Sequence, residues 1–406
     1  MNSILARGQK LLLTFAALYT LFLFTLTIPF FQNHVLYLHA ARWPLFSDFK
    51  NPVKYGLPYS RTLNIELTTR DNIKLGSWLL LPPSHHLSRQ QATVYDSQHT
   101  NAIITSSLST NPTVLFFHGN AAARAVSFRI EHYMSYAAHF NANVLAIDYR
   151  GFGDSEGEPS EEGLAADARA AWDWVIEKGA RPEDVMIIGH SLGTGVSASL
   201  GAELALENIQ PKGIVLLAPF TSLPELLADY SLFGFLPVLQ PVYSYPLIKD
   251  LVLKYLITKF NTSNALLTIN CPIVLAHSEN DFEIRQSHSE SLFNNLLKPY
   301  LPSIPESLKI VPVNPAELKY FDWDGYKAYM TERKKRKDEL VKIEEMQEFG
   351  SVHRFSRPGN TTQTHTKSEA GDVIFVKAKY GGHDRIGIQH TLIDFIANEF
   401  FSSSNI

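Results

Sequence analysis

Ser191 lies in a stretch whose residue types and spacing suit nucleophilic catalysis. It is the central residue of the motif Gly-His-Ser-Leu-Gly (189–193), which follows the apolar run Val185–Ile188 and precedes small, helix-forming residues. A serine at a sharp strand-to-helix turn has a strained backbone and an exposed hydroxyl, and the two glycines leave room for the turn. The alternative is a glycine-rich turn whose serine only caps the helix. The strand–turn–helix context favours the nucleophile.

A serine hydroxyl is a poor nucleophile at neutral pH and needs an acid and a base beside it. The base is usually a histidine, which a carboxylate orients. After a serine elbow of this kind, the acid comes next along the chain and the histidine comes last. Asp281 follows the predicted strand Pro272–His277 and is the acid that we predict, with Glu279 and Glu283 as competitors.

The base is expected after the last predicted strand, Val373–Lys377. His383 lies there, in a glycine-containing loop just before the final predicted helix, Ile386–Phe400. His390 would lie inside that helix and is the weaker candidate. The sequence therefore predicts that His383 takes the proton of Ser191.

Acyl transfer also requires hydrogen-bond donors for the oxyanion, and losing one donor costs about 10²–10³ in rate. One donor is expected to be the backbone N–H of Leu192, the residue after the nucleophile. The other is expected in the loop His-Gly-Asn-Ala (118–121) after Thr113–Phe117, with the N–H of Asn120 as the donor. Asp148 precedes the serine in the chain, so we predict that it holds a loop in place and has no catalytic role.

Apolar strands alternate with helices around these residues. Strands that are apolar throughout and separated by helices indicate an α/β fold, with a mostly parallel sheet covered by helices on both faces. Right-handed crossovers bring the carboxyl ends of the parallel strands to one edge, where ligands bind. The predicted strands are Leu63–Thr68, Lys74–Leu81, Thr113–Phe117, Asn143–Ile147, Val185–Ile188, Gly213–Ala218, Pro272–His277 and Val373–Lys377.

Three segments interrupt this alternation. Residues 84–111 are polar and predict a surface loop. Residues 220–267 are apolar and aromatic, and they lie where a cap over the active edge of the sheet would be inserted. Residues 299–372 form a charged insertion with a basic run at 333–337. Neighbouring acidic residues favour a solvated helix face for this run over a nuclear signal or an anionic-lipid patch.

The N-terminal region contains a segment that is long enough to cross a membrane. Residues 11–32 carry no charge, and at about 1.5 Å per residue they span a hydrocarbon core of about 30 Å. Arg7 and Lys10 precede them, which predicts a cytosolic N-terminus. A cleaved signal peptide is the alternative, but its apolar region usually has about 7–15 residues and a small-residue end. The predicted domains are a cytosolic N-terminus (1–10), a signal anchor (11–32), a connecting segment (33–62) and an extracytoplasmic catalytic domain (63–402).

Composition sets wide bounds on the function. The chain has 406 residues, 45% of them hydrophobic, and a net charge of −4, which gives no indication of a nucleic-acid partner. Its single cysteine excludes an intrachain disulfide. Asn261 and Asn360 begin Asn-x-Ser/Thr sequons, which agree with an extracytoplasmic domain.

Six segments resemble serine α/β hydrolases, most closely the group of α/β-hydrolase domain-containing protein 12. They read FFHGNAAARA, AIDYRGFGDSEGEPSEEGL, GHSLGTGV, LLAPFTSL, CPIVLAHSENDFEI and GGHDR. The resemblance covers about residues 63–400. It implies a membrane-anchored monoacylglycerol or lysophosphatidylserine lipase with a lumenal catalytic domain and with Ser191, Asp281 and His383 as its triad. Two insertions are longer than the family's usual connections, and the acid motif lacks the family's two consecutive acidic residues.

We therefore expect a single-pass membrane protein of the endoplasmic reticulum that cleaves acyl esters of lipids through an acyl-enzyme. No metal or organic cofactor is needed for this chemistry. Neighbouring groups include protein depalmitoylases, so an acyl-protein thioesterase is the alternative. A non-catalytic hydrolase-like binding protein is a third possibility, and the intact order of serine, aspartate and histidine argues against it.

Overall fold

A computed structural model describes residues 2–85, 97–229, 240–309, 321–357 and 371–401. Within these ranges, ten strands form one mixed sheet in the order β1-β2-β4-β3-β5-β6-β7-β10-β9-β8. The strands are β1 (Thr62–Thr68), β2 (Lys74–Leu80), β3 (Thr113–Phe117), β4 (Asn143–Ile147), β5 (Val185–His190), β6 (Gly213–Leu217), β7 (Ile273–Ser278), β8 (Lys342–Met346), β9 (Gly350–Phe355) and β10 (Val373–Ala378).

Helices cover both faces of the sheet, and an apolar cluster lies under each face. They are α1 (Asn2–Thr25), α2 (Pro29–Tyr37), α3 (Ser97–Thr110), α4 (Ser127–His139), α5 (Glu161–Glu177), α6 (Leu192–Leu206), α7 (Leu223–Asp229), α8 (Gln240–Tyr243), α9 (Pro246–Tyr255), α10 (Thr262–Thr268), α11 (Ser287–Leu297), α12 (Trp323–Leu340) and α13 (His390–Phe400).

The centre of the sheet is parallel, as the apolar strands predicted. Strands β4, β3, β5, β6, β7 and β10 run in the same direction, and every residue of β3 to β6 is buried. Such strands read as continuous apolar runs because helices cover both of their faces. The predicted central strands are confirmed, with bounds that differ by at most two residues. Their carboxyl ends meet at one edge of the sheet.

The prediction of a loop over residues 84–111 is wrong for the part that forms α3. This helix buries Ile104 and Leu108, and the hydroxyl of Ser107 between them donates to Asn143 Oδ1 at 2.6 Å. Residues four apart lie on one face of a helix, so two apolar side chains are enough to dock α3 on the core. The many polar residues around them conceal this short stripe in the sequence.

The charged insertion adds structure that the sequence analysis missed. Strands β8 and β9 extend the sheet antiparallel to β10. Four of the five side chains of β8 are exposed, and charged residues on an edge strand discourage pairing with other chains. The basic run at 333–337 lies on α12, which buries none of its residues. The prediction of a solvated helix face is therefore confirmed.

The predicted anchor extends too far toward the folded domain. Helix α1 contains a span, Leu5–Thr25, that is long and apolar enough to cross a membrane, but it ends seven residues before the predicted limit at Gln32. Pro29 then begins α2, where its missing N–H costs nothing. The buried side chain of Gln32 donates to Tyr255 O at 3.0 Å and accepts from Ile257 N at 2.8 Å. Helix α2 therefore packs on the domain.

Candidate active site

Ser191 lies in the turn between β5 and α6, as predicted. Its φ of 52° falls in the left-handed region, which costs a residue other than glycine about 1–3 kcal/mol unless the surroundings enforce it. The Ser191 amide donates to Leu217 O at 3.0 Å, and Ser191 O accepts from the Thr194 hydroxyl at 2.6 Å. Strand β6 and the first turn of α6 thus hold the serine in its strained conformation.

Two glycines make the turn possible by close packing. A Cβ on Gly189 would lie 2.3 Å from Gly193 O, and a Cβ on Gly193 would lie 2.0 Å from Phe117 O. Both neighbours are backbone atoms of elements that position the site.

Replacing Gly193 by alanine is expected to lower the free energy of unfolding by about 3 kcal/mol or more, the upper end for overpacking, because strand β3 has to move. Thermal unfolding measures the loss. Gly201→Ala is the matched control on the same helix, since its new methyl group meets the flexible ends of Ile214 and Ile269. Equal losses in the two variants would contradict this account of the turn.

Asp281 and His383 are brought together at the carboxyl ends of β7 and β10. His383 Nδ1 lies 2.8 Å from Asp281 Oδ2, while Asp281 Oδ1 accepts from the amides of Glu283 and Ile284 at 2.9 and 3.0 Å. His277 Nε2 lies 3.2 Å from Asp281 Oδ2. Burial would raise the pKa of Asp281, but the hydrogen bonds to both histidines outweigh it and hold the pKa far below its usual range. The group is a carboxylate at neutral pH.

His383 is arranged as a base. Burial lowers its pKa, but the hydrogen bond to Asp281 outweighs that effect, so the pKa lies above its usual value. Because a carboxylate only accepts, Nδ1 carries a proton, and in the neutral ring Nε2 is the nitrogen left to accept one. Glu283 Oε2 lies 3.7 Å from Nε2. His390, the weaker candidate, is the exposed first residue of α13 and lies at the start of that helix, not inside it as predicted.

Ser191 and His383 line the same cavity of about 410 Å³ without a direct hydrogen bond among the described residues. Catalytic hydrogen bonds are often long before substrate binds. Asn120 and Glu283 also line this cavity, and so does Trp43 from the segment after α2. The arrangement brings a strained serine and a carboxylate-oriented histidine to one opening.

His190 supports the base from the serine loop, a role that the sequence analysis did not predict. Its Nε2 lies 2.9 Å from His383 O, and since a carbonyl only accepts, Nε2 carries the proton. Burial and the nearby His383 hold the pKa of His190 well below its usual value, so the ring is neutral. The parallel register of β3 and β5, with Phe117 opposite Gly189, sets the His118 and His190 loops side by side.

The predicted oxyanion loop is held on one side by the last residue of α2 and by the segment after it. Ala121 and Ala122 both have positive φ, at 56° and 53°. Their amides donate to Tyr37 O at 2.9 Å and to Ala41 O at 3.2 Å. Asn120, on the same loop, lines the cavity with Ser191, and Leu192 begins α6, where the first N–H groups lack partners within the helix. The roles of Asn120 and Leu192 as donors remain predictions.

Arg129 holds the oxyanion loop from the other side and was not predicted. Its Nη2 donates to the carbonyl oxygens of Gly119, Asn120 and Ala121 at 3.1, 2.9 and 3.1 Å, and its Nη1 donates to Ala123 O at 3.0 Å. The side chain is buried, and no carboxylate among the described residues pairs with it. The guanidinium also lies over the Phe128 ring, 5.6 Å from its centroid. A buried cation without a carboxylate partner is costly, which points to a role for Arg129 in holding this loop.

Asp148 has the structural role that we predicted. It is fully buried, accepts from the Arg124 amide at 2.7 Å and from the Arg124 guanidinium, and lies 3.2 Å from His118 Nε2. Asp148, which directly follows β4, thereby holds His118 at the start of the oxyanion loop and Arg124 just after it.

One group of side chains at the site has metal-ligand chemistry. His190, His383 and Asp384 each offer one ligand atom within 4.8 Å of the others. Two of the four imidazole nitrogens, His383 Nδ1 and His190 Nε2, already bond to protein oxygens. This arrangement suits proton transfer better than metal binding.

Comparisons with known proteins identify the fold and the relatives of this chain. The model of the alpha/beta hydrolase family matches residues 114–292. The protein is an α/β hydrolase by fold. Its resemblance to the ABHD12 group is confirmed: it is 29% identical over 270 residues to lysophosphatidylserine lipase ABHD12 of Xenopus tropicalis, and 30% identical over 280 residues to that of Macaca fascicularis.

These alignments cover 66 and 68% of this chain and, in both cases, 66% of the relative's length. A solved α/β hydrolase from Vibrio vulnificus is 19% identical, with a TM-score of 0.48, and the match covers 66% of this chain and 81% of that one.

Proposed function

We propose that this protein is a membrane-anchored serine hydrolase that cleaves an acyl ester of a lipid through a covalent acyl-enzyme. The observation that carries the proposal is the hydrogen bond of 2.8 Å between Asp281 and His383 at the cavity that the strained Ser191 also lines. The names of the relatives support lysophosphatidylserine as the substrate. Monoacylglycerol, which the family resemblance also implies, is the second choice.

The proposed reaction uses these groups in turn. His383 Nε2 takes the proton of Ser191 as Oγ attacks the ester carbonyl, and the Asn120 and Leu192 amides bind the oxyanion. The imidazolium, stabilised by Asp281, gives its proton to the leaving alcohol. Water then attacks the acyl-enzyme by the same route, which releases the fatty acid and restores Ser191.

A substrate panel tests the activity directly. The full-length protein in detergent micelles is incubated with lysophosphatidylserine, monoacylglycerol and a palmitoyl-thioester, and the released fatty acid or thiol is measured. We expect the lysophospholipid to be cleaved fastest. Faster cleavage of the thioester would indicate a depalmitoylase, and no cleavage of any of the three would contradict the proposal.

The pH profile tests the role of His383. The base must be neutral, so kcat/KM is expected to rise with pH through the raised pKa of His383, with a midpoint above 6.5. Asp281→Asn removes the group that raises this pKa, so its midpoint moves to lower pH and its maximal rate falls about 10⁴-fold. Glu279→Gln is the control at the exposed end of β7 and should keep the wild-type midpoint. An unchanged midpoint in Asp281→Asn would contradict the assignment.

Membrane topology is part of the proposal. The span Leu5–Thr25 would cross the membrane, with the catalytic domain in the lumen of the endoplasmic reticulum. Asn261 is exposed, and its side chain caps α10 by accepting from Asn264 N at 3.1 Å. The second predicted sequon, at Asn360, lies outside the described residues.

We expect endoglycosidase to increase the mobility of the wild-type protein on a gel, and not that of the double variant Asn261→Gln/Asn360→Gln. The wild-type protein is expected to shift because glycan is transferred to Asn-x-Ser/Thr sequons in the lumen, and the double variant lacks both acceptor asparagines. A wild-type protein without a shift that is also cut by protease in intact microsomes would contradict the lumenal placement.

A further inference from the structure

We propose that the segment Pro29–Asp48 is the bilayer-facing wall of the active site, and that its apolar rim rests on lipid so that the substrate enters the cavity from the bilayer. The rim consists of Leu38, Trp43, Leu45 and Phe46. This inference rests on the proposed function and adds to it the surface through which the site meets its substrate.

The segment is part of the site as well as a link to α1. Tyr37 O and Ala41 O accept from the amides of the oxyanion loop, and Ala41 and Trp43 line the cavity beside Ser191. At its other end, Gln32 bonds to the backbone of Tyr255, the last residue of α9, and of Ile257, just after that helix. The Tyr37 hydroxyl, which is buried, lies 3.3 Å from Thr258 Oγ1. The segment therefore bridges the cap and the catalytic machinery.

The rim exposes large apolar side chains at a cost. Its four residues are 45 to 101% exposed, and Phe46 is the most exposed of them. Leu38 and Phe46 also have positive φ, at 48° and 57°, which is uncommon for bulky residues. Burial of apolar area is worth about 25 cal/mol per Å², so water is an unfavourable surrounding for this group. Four large apolar side chains exposed within nine residues of one segment favour an interaction site there.

The loop that carries the rim is held at both ends. Before the rim's aromatic residues, Ala41 O accepts from Ala122 N at 3.2 Å. After them, the Asp48 amide donates to the Tyr55 hydroxyl at 2.8 Å, and Phe49 O accepts from Trp78 Nε1 at 2.8 Å. Backbone hydrogen bonds on both sides therefore hold the part of the loop that carries Trp43, Leu45 and Phe46.

A lipid bilayer is the partner that this surface fits. Along the chain, the rim follows the apolar span Leu5–Thr25 and helix α2. Helix α2 buries Gln32 and Tyr37 in the domain and exposes three apolar side chains, those of Phe30, Phe31 and Val35. Exposed basic residues, Arg42 and Lys50, flank the rim's aromatic residues. Tryptophan with neighbouring basic residues is typical of the membrane–water interface, where cations meet lipid phosphates. A substrate acyl chain that leaves the bilayer at Trp43 enters the cavity directly.

The first test measures contact between Trp43 and acyl chains. The full-length protein is placed in phosphatidylcholine nanodiscs with or without brominated acyl chains, and tryptophan quenching is compared with that of Trp43→Phe, which retains the other four of the five tryptophans. We expect the fluorescence attributable to Trp43 to be quenched at least twofold. Absence of quenching would overturn the proposal and would indicate water or a protein partner at the rim.

The second test measures delivery of substrate. Rates are compared for lysophosphatidylserine embedded in phosphatidylcholine nanodiscs and for a water-soluble short-chain ester. We expect Leu45→Ser/Phe46→Ser to lower the ratio of the two rates about tenfold, and Leu206→Ser, an equally exposed leucine at the far end of α6, to keep the wild-type ratio. An unchanged ratio in the rim variant would overturn the proposal. A wild-type protein inactive on both substrates would instead refute the proposed function.

Discussion

Ser191→Ala is expected to lower the rate of lysophosphatidylserine hydrolysis by about 10⁴–10⁶-fold and to abolish labelling by a fluorophosphonate probe. Without Oγ no acyl-enzyme forms, and only the oxyanion donors and substrate binding remain to accelerate attack by water. The new residue is smaller and removes no hydrogen bond of the serine side chain among the described residues. The variant should therefore unfold at the wild-type temperature or slightly above it.

Ser199→Ala is the matched control for this experiment. It lies on the same helix, where its hydroxyl donates to Gly195 O at 3.0 Å, far from the cavity lining. Its rate and labelling should equal those of the wild type. A Ser191→Ala rate within tenfold of wild type, or equal labelling of the two proteins, would refute the catalytic proposal and favour a hydrolase-like binding protein.

Residues at the ends of parallel strands were predictable because topology alone brings them together. Ser191, Asp281 and His383 follow β5, β7 and β10, whose carboxyl ends share one edge of the sheet. Local sequence identifies each strand, and chain order predicts each role. The choice of Asp281 over Glu279 and Glu283 also rested on its place in the turn and on the family resemblance. No three-dimensional knowledge was needed beyond the right-handed crossover.

Residues that act through tertiary contacts were not predictable in this way. His277 belongs to the apolar strand β7, and only the fold reveals its nitrogen 3.2 Å from Asp281. Gln32 lies inside an uncharged apolar run, so hydropathy assigned it to the membrane, whereas two backbone partners more than 200 positions away bury it in the domain. Helix α3 has only two fully buried apolar side chains among polar ones, a stripe too short to stand out in the sequence.

Arg129→Met is expected to lower kcat about 10²–10³-fold with little change in KM, the cost of losing one oxyanion donor. The guanidinium binds three carbonyl oxygens of the oxyanion loop and the carbonyl oxygen of Ala123, and without it the loop that carries the proposed donor, the Asn120 amide, loses this support. Arg129→Lys should give an intermediate rate, because a single ammonium cannot span the same fork of acceptors. Arg70→Met, at an exposed ion pair with Asp173, is the control and should keep the wild-type kcat. A lower unfolding temperature with unchanged kcat in Arg129→Met would show that the clamp serves stability alone.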